Sequence, residues 1–427
     1  MNTACSWHHA CRAGLGYMEL FVACMLMGLG GHRSVAAEAA AVWVHPGLQH
    51  LSTARGDLPP PNSGNQQTAS LVLDVDKDGL NDVVIAERTK APAVVWFKRH
   101  AHGWTRHIIE AGPLRVEAGG AFYDISGDGA PDIVFGGDAG SKEVWWWENP
   151  HPQHNPNTPW RRRLIKASGA NKHHDQLMGD FDGDGRVELV FWCQGARQLV
   201  LAALPADPRA HEGEWPMRVI YSYPEEEMQP RGTYPSWRRP NEHEGLAAAD
   251  VDGDGKLDMV GGGRWFKYEK GGFVPHIIDA AYTFTRSAVG RFKPGPRPQV
   301  LLCIGDGQGP MLMYEWQKGT WTPKVLMEEL WDAHSLQAVD FNGDQHLDIF
   351  VAEMQLGKNP NPRAWILLGN GQGDFKAVEL LRGFDLHEAR VADLNGDGRP
   401  DILAKPYTWQ APRLDIFLNR GQFQGGW

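Results

Sequence analysis

The chain has 427 residues, among them 50 glycines, 29 prolines and 18 tryptophans, with 42% hydrophobic and 22% charged residues. That is too apolar for a disordered chain, and too rich in turn formers and aromatics for a helical bundle. A net charge of −10 and a pI near 6.0 exclude the basic footprint of a nucleic-acid binder.

The first 40 residues stand apart. An apolar run from Phe21 to Gly30 is followed by small residues from Ser34 to Ala41, which reads as a secretory signal cleaved near residues 36–41. A start at Met18 would remove the odd, long segment before it. The run is short for a membrane span, and Cys24 lies inside it rather than after it, which argues against a lipid anchor. Residues 41–427 are therefore expected to be secreted, periplasmic or held at the cell envelope, with no integral span after cleavage. Three of the five cysteines fall in the leader. Cys193 and Cys303 sit in separate apolar runs and read as buried thiols, not as a disulfide framework.

Beyond the leader the chain repeats itself. Six nine-residue segments share one pattern, beginning at Asp74, Asp124, Asp180, Asp250, Asp340 and Asp393. A degenerate seventh, GRFKPGPRP from Gly290, keeps the position and loses every acidic group. Oxygen ligands at positions 1, 3, 5 and 9, with a turn-forming glycine at 6 in most copies, suit a hard cation. The expected Ca²⁺ ligands are Asp74, Asp76, Asp78 and Asp82; Asp124, Ser126, Asp128 and Asp132; and Asp180, Asp182, Asp184 and Glu188. The later loops offer Asp250, Asp252, Asp254 and Asp258; Asp340, Asn342, Asp344 and Asp348; and Asp393, Asn395, Asp397 and Asp401. An EF-hand is excluded, since no glutamate stands at position 12 and no helices flank the loops. These loops carry 21 of the 52 acidic residues, so about six Ca²⁺ would offset the net charge and stabilise the fold by mass action.

Each loop runs into an apolar strand (VVIA, IVFGG, LVFW, MVGGG, IFVAE, ILAK). An aromatic strand follows, such as VVWFK at 94–98 or EVWWWE at 143–148, and then a third, such as WTRHII at 104–109. With the strand before the loop this makes four per repeat. Seven such repeats predict an all-β, seven-bladed β-propeller of four-stranded blades with Ca-binding DxDxDG loops. The segment Ala41-Val-Trp-Val-His45 is expected to supply the outer strand that the last blade lacks.

These loops and blades resemble the FG-GAP/VCBS repeat family of extracellular propellers over residues 41–420. That resemblance implies the fold and calcium and says little about activity. VWWWENP (144–150), the run from His334 to Asp340 and NEHEGLAAADVDGDG (241–255) also resemble the propeller of aldos-2-ulose dehydratase. The other domains of that enzyme have no counterpart here.

In such a propeller the strand before each loop runs toward the calcium pole, so residues ahead of it sit at the opposite pole. Four to seven positions before each loop stand Gln67 and Thr68, Glu117, His173, His174 and Asp175, His243 and Glu244, Thr285 and Arg286, His334, and His387 and Glu388. Five of the 18 histidines fall in this narrow window. Any one of them reads as readily as a turn partner, and it is the shared register that points to a site. The end of the returning strand adds Glu87, Asp138, Gln194, Arg264, Asp306, Glu353, Lys405 and Tyr407. A long connection, 223–241, carries Tyr234, Trp237, Arg238 and Arg239, which suit a sugar or a carboxylate.

Two functions follow. The dehydratase resemblance implies a carbon–oxygen lyase acting on a carbohydrate or sugar-derived small molecule. His174, His243, His334 and His387 would be bases or ligands of a second metal, Zn²⁺ or another divalent ion. Arg264 and Arg286 would hold an oxyanion, with Glu244, Glu388 and Tyr407 as acids. The alternative is a non-catalytic adhesin, or a glycan- or protein-binding propeller of the cell envelope. No nucleotide loop, nucleophile elbow or zinc-protease helix is present.

Overall fold

A computed structural model describes residues 42–224, 242–356 and 359–423. The predicted leader and Tyr234, Trp237, Arg238 and Arg239 lie outside them. No helix among the described residues is long and apolar enough to cross a membrane.

The described residues form seven antiparallel sheets; five are meanders of four consecutive strands, and the last two each also take one strand from the N-terminal segment. Blade 1 is typical: Gln67–Leu73, Asp82–Glu87, Val94–His100 and Gly103–Glu110. Its second strand, DVVIAE, is buried along its whole length. Such an unbroken apolar run is what a strand covered on both faces requires. Seven apolar clusters result, one at each blade interface and each mixing residues of two neighbouring blades. In the cluster between blades 1 and 2, Trp96 packs with Phe135, Trp147 and Trp160. The cluster of Leu58, Val83 and Phe97 with Leu403, Leu414 and Ile416 joins blade 7 back to blade 1, so the ring closes. The first strands line a central cavity of about 470 Å³, bounded by Leu71, Phe122, Leu177, Gln337 and Val391 among others. Cys193 and Cys303 are buried free thiols.

The ring closes differently from the sequence expectation. Leu48–Ser52, not residues 41–45, is the outer strand of blade 7, pairing with Asp415–Asn419. Trp43–Val44 instead adds a fifth strand to blade 6 against Leu381 and Arg382. A turn at 45–48 separates the two, closed by the Leu48 amide donating to the His45 carbonyl at 2.9 Å. Leu48 then fills the interface between blades 6 and 7. A single strand could not serve both blades.

Position 9 of each loop is a buried clamp. The Asp82 carboxylate accepts from the amides of Val75 (3.2 Å) and Arg99 (2.7 Å), which ties the loop to the third strand. Asp132, Asp348 and Asp401 repeat this double bond. In the degenerate blade the Gln299 side-chain oxygen takes the Phe292 amide at 2.9 Å. The degenerate loop therefore starts at Arg291, one residue later than the sequence alignment placed it.

Gly245 shows how tightly neighbouring blades meet. It sits five positions before its loop with φ +76°, and a Cβ there would lie 2.5 Å from the Thr285 carbonyl oxygen of blade 5. Gly245→Ala is expected to destabilise the fold by about 1–3 kcal/mol or more, through the left-handed backbone and the clash. A urea unfolding curve checks this, and a shift below 0.5 kcal/mol would refute it.

Candidate functional site

Two positions of the repeat build the pole opposite the loops. Six residues before each loop stand Thr68, Ala118, His174, Glu244, Thr285, His334 and His387; five before stand Ala69, Gly119, Asp175, Gly245, Arg286, Ser335 and Glu388. Sevenfold geometry brings each set toward one axis. Ala118, His174, Glu244, His334 and His387 of the first set help line a cavity of about 350 Å³, and Asp175, Arg286 and Glu388 of the second tie the blades together beneath it.

His174 is the centre of the lining. Its Nδ1 lies 2.9 Å from Asp175 Oδ2 and its Nε2 lies 3.2 Å from Glu244 Oε1. Burial alone would lower its pKa, but Glu244 and Asp175 raise it to about 10. On the far side of Glu244, His334 Nε2 stands 3.5 Å from Oε2. Glu244 Oε2 and His334 Nδ1 are buried with no hydrogen-bond partner among the described residues. Ligand atoms of His174, Glu244 and His334 all lie within 4.8 Å of one another. Two imidazoles and one carboxylate, one oxygen of it orphaned, fit a divalent ion such as Zn²⁺. Asp175 gives His174 the carboxylate partner that commonly orients a ligating histidine.

His387 stacks on His334 at 4.4 Å, but its Nδ1 lies 2.9 Å from Lys405 Nζ. Lys405 also donates to the Gln67 carbonyl at 2.9 Å. Burial, partly offset by Glu388, lowers Lys405 to about 7. As an ammonium it can only donate, so Nδ1 accepts and the ring proton sits on Nε2. Burial and Lys405 hold the His387 imidazole well below its usual pKa, hence neutral. Tyr407 packs on the other side of His387 at 4.9 Å, and its hydroxyl meets the Arg88 guanidinium.

Beneath the lining, Arg286 bridges Asp175 (2.9 Å) and Glu388 (3.2 Å), while Glu388 also takes Arg390 at 3.0 Å. Despite burial, Arg286 and His174 hold the Asp175 carboxyl well below the usual range, and Arg390 and Arg286 do the same for Glu388. These three residues share one repeat position in blades 3, 5 and 7.

Not every predicted residue reaches the cavity. His174, Glu244, His334, His387 and Tyr407 line it; Arg286 and Glu388 support it from below. His243 instead packs among Trp192 (5.2 Å), Tyr221 (6.1 Å) and Tyr223 (3.7 Å), and burial beside Arg264 keeps it neutral. Arg264 donates to the Gly262 carbonyl at 3.0 Å and lies over Tyr221, away from the lining. Several acids at the ends of returning strands are turn clamps. Glu87 accepts from the amides of Gln66, Thr89 and Lys90, and Glu353 from those of Trp331 and Arg363. The sequence reading passed over Arg88 and Arg115. Arg88 Nη1 reaches Glu117 at 3.2 Å, and Arg115 pairs with Asp138 at 2.8 Å. Their only signal was adjacency to Glu87 and near-adjacency to Glu117.

At the other pole, position-1 aspartates bind their own loop amides. Asp74 takes the amides of Asp78 (3.1 Å) and Gly79 (2.9 Å), and Asp124, Asp250 and Asp393 do likewise. Asp180 and Asp340 take the amides of Gly185 and Gln345 at 3.0 and 2.9 Å. The blade 3 loop brings Asp180, Asp182, Asp184 and Glu188 within ligand range of one another. In the loops from Asp74 and Asp250 only positions 1, 3 and 5 converge, with Asp82 and Asp258 committed to clamping. Asn342 and Asp344, and Asn395 and Asp397, pair at 3.0 and 3.1 Å in the last two loops. Arg209 reaches Asp128 at 2.6 Å beside Ser126.

A family of FG-GAP-like repeats matches residues 124–191 and 340–404. No curated protein matches the chain by sequence. Similar solved structures include the biofilm matrix protein Bap1 of V. cholerae, at 12% identity and TM-score 0.46 over 84% of this chain and 89% of that one. The six-bladed fucose-binding lectin of Aleuria aurantia has 11% identity and TM-score 0.40 over 75% and 97%. AofleA of Arthrobotrys oligospora has 10% identity and TM-score 0.42 over 78% and 90%. With FG-GAP-like repeats matched in two separate pairs of blades and seven blades in one closed ring, the described residues form a seven-bladed β-propeller that carries FG-GAP-like repeats.

Proposed function

We propose that this is an exported, calcium-stabilised propeller that acts as a carbon–oxygen lyase on a sugar-derived substrate in the cavity of the histidine pole. The observation that carries the reading is the two-sided chemistry of that cavity. On one side, Glu244 and His334, joined by His174 once an entering cation displaces its Nε2 proton, form a set able to hold a divalent ion. On the other, Arg88, Tyr407 and His387 present donors.

An elimination needs both sides: one takes a proton beside a carbonyl, the other protonates the departing oxygen. A bound divalent ion would supply Lewis-acid polarisation of a substrate oxygen. Arg88 binds and orients a carbonyl or carboxylate oxygen. Tyr407 keeps its proton because burial raises its pKa, so it can donate to a leaving hydroxyl. His387 adds a second donor through Nε2. Phe284, Met354 and Leu356 give the cavity an apolar wall that limits water. The leader supports export, and the acidic loops support calcium.

Elemental analysis of the dialysed mature protein tests the pole. About one Zn²⁺ or Mn²⁺ per chain is expected beside calcium. Glu244→Gln and His334→Ala should each lose that ion, and turnover of ketosugars or uronic-acid glycosides, while keeping their calcium. Calcium alone, with no turnover, would overturn the lyase and favour the binding propeller.

A further inference from the structure

Resting on the calcium reading of the other loops, we propose that the loops of blades 1 and 4 take no calcium, because Lys98 and Lys267 are their built-in cations. Position 9 of each loop begins the second strand, so the sheet register fixes which residue of the third strand stands across from it. In blade 1 that residue is Lys98, next to the Val83–Phe97 pair. In blade 4 it is Lys267, next to the Met259–Phe266 pair. Both ammonium groups reach the same two positions of their loops. Lys98 contacts Asp76 and lies 3.5 Å from Asp78. Lys267 contacts Asp252 and lies 2.7 Å from Asp254. Those carboxylates are two of the oxygen donors that a bound Ca²⁺ requires.

The other acidic loops have no lysine at the facing position of the third strand. Across from position 9 stand Glu148 in blade 2, Ala203 in blade 3, Leu368 in blade 6 and Leu418 in blade 7. Arginines do reach these loops: Arg209 on Asp128 in blade 2, Arg218 on Asp182 and Arg186 on Asp184 in blade 3, and Arg399 on Asp397 in blade 7. Each touches one carboxylate of its loop and is 40% exposed or more, whereas Lys98 and Lys267 are 23% and 20% exposed and each reaches two.

The degenerate blade supplies the independent argument. Counted from Arg291, its position 3 is Lys293, and the residue across from its Gln299 clamp is Glu315. The two pair at 2.6 Å. This is the Asp76–Lys98 pair with its charges exchanged, in a loop with no acidic ligand at all. The cross-strand ion pair is therefore this repeat's substitute for a metal, present in three blades of seven.

The exclusion is electrostatic. An ammonium about 4 Å from a divalent ion weakens its binding by a factor of at least about 30, even at the dielectric of water. The lysine would have to leave its carboxylates for calcium to enter.

Calcium counting on the full mature chain decides the point, by elemental analysis after dialysis and by titration of the metal-stripped protein. Four Ca²⁺ per chain are expected. Lys98→Met and Lys267→Met should each raise the count by one, and the double variant should bind six. Six in the unaltered chain would overturn the inference and leave the calcium reading intact. None would overturn the calcium reading itself. A count of four that either folded single variant leaves unchanged would also overturn the inference. Should the variants not fold, the count for the unaltered chain still decides.

Discussion

Stripping calcium is expected to lower the melting temperature by roughly 10–20 °C at pH 7.5, and by clearly less at pH 5. An ion held at 100 times its dissociation constant contributes about 2.7 kcal/mol, so four contribute about 11 kcal/mol. That is comparable with the whole stability of an ordinary domain, and at this chain length it corresponds to the stated shift. The pH term comes from the clamp residues. Burial raises Asp82, Glu188 and Asp258 to about 7, and Asp132, Asp348 and Asp401 to about 6, in each case against amide bonds that favour the anion. A carboxyl raised in the fold binds more protons there than in the unfolded chain. The metal-free protein therefore loses stability as pH rises from about 4 through 7. Calcium in the loops of blades 2, 3, 6 and 7 favours the ionised form of Asp132, Glu188, Asp348 and Asp401 and works there in the opposite direction, whereas Asp82 and Asp258 titrate alike in both forms. The gap between calcium-loaded and stripped protein should widen steadily over that window, and calorimetry of both forms at the two pH values measures it. Identical melting temperatures at pH 7.5 would sink the calcium reading.

What could be read in the sequence follows from which signals are local. The loops, the strands that leave them and the blade count are short-range patterns; the six acidic loops appear where the spacing put them, and the degenerate one, with no acidic residue to mark it, is one residue later. The pole was legible because a ring repeats one register. His174, Glu244, His334 and His387 share a position, so counting back from the loops found all four without knowing any contact. The same count could not separate His243 from His174, since one residue of register turns a strand side chain from the axis into the blade interface. Nor could it tell Glu87 and Glu353, which clamp turns, from Asp138, which faces Arg88. The closing strand was misplaced for a related reason. Residues 42–44 and 48–52 are both short and apolar enough, and only pairing partners distant in sequence choose between them. Lys98 and Lys267 went unremarked because their meaning depends on what lies across the sheet.

Arg286→Met is expected to destabilise the protein by about 3–5 kcal/mol, the usual consequence of removing one partner from a buried ion network. The reason is positional. Asp175 and Glu388 occupy the repeat position where blades 2 and 4 carry Gly119 and Gly245, and both adopt the left-handed backbone, at φ 49° and 54°. Blades 3 and 7 thus accept a conformation that costs a non-glycine residue about 1–3 kcal/mol, in order to aim two carboxylates at one guanidinium. Without Arg286 the backbone strain remains and the two buried charges lose their shared counterion. Glu388 keeps Arg390 and Asp175 keeps His174, so the loss should be partial rather than complete. Arg286→Lys should recover only part of it, because a point charge cannot span both carboxylates as a planar fork does. Urea unfolding of the two variants measures the cost, and a loss under 1 kcal/mol for Arg286→Met would refute the bridging role. The same variant bears on function, because Asp175 is also the residue that orients His174. If the pole holds an ion through His174, Arg286→Met should lower its occupancy while the calcium count stays fixed, two outcomes that a general loss of stability would not separate.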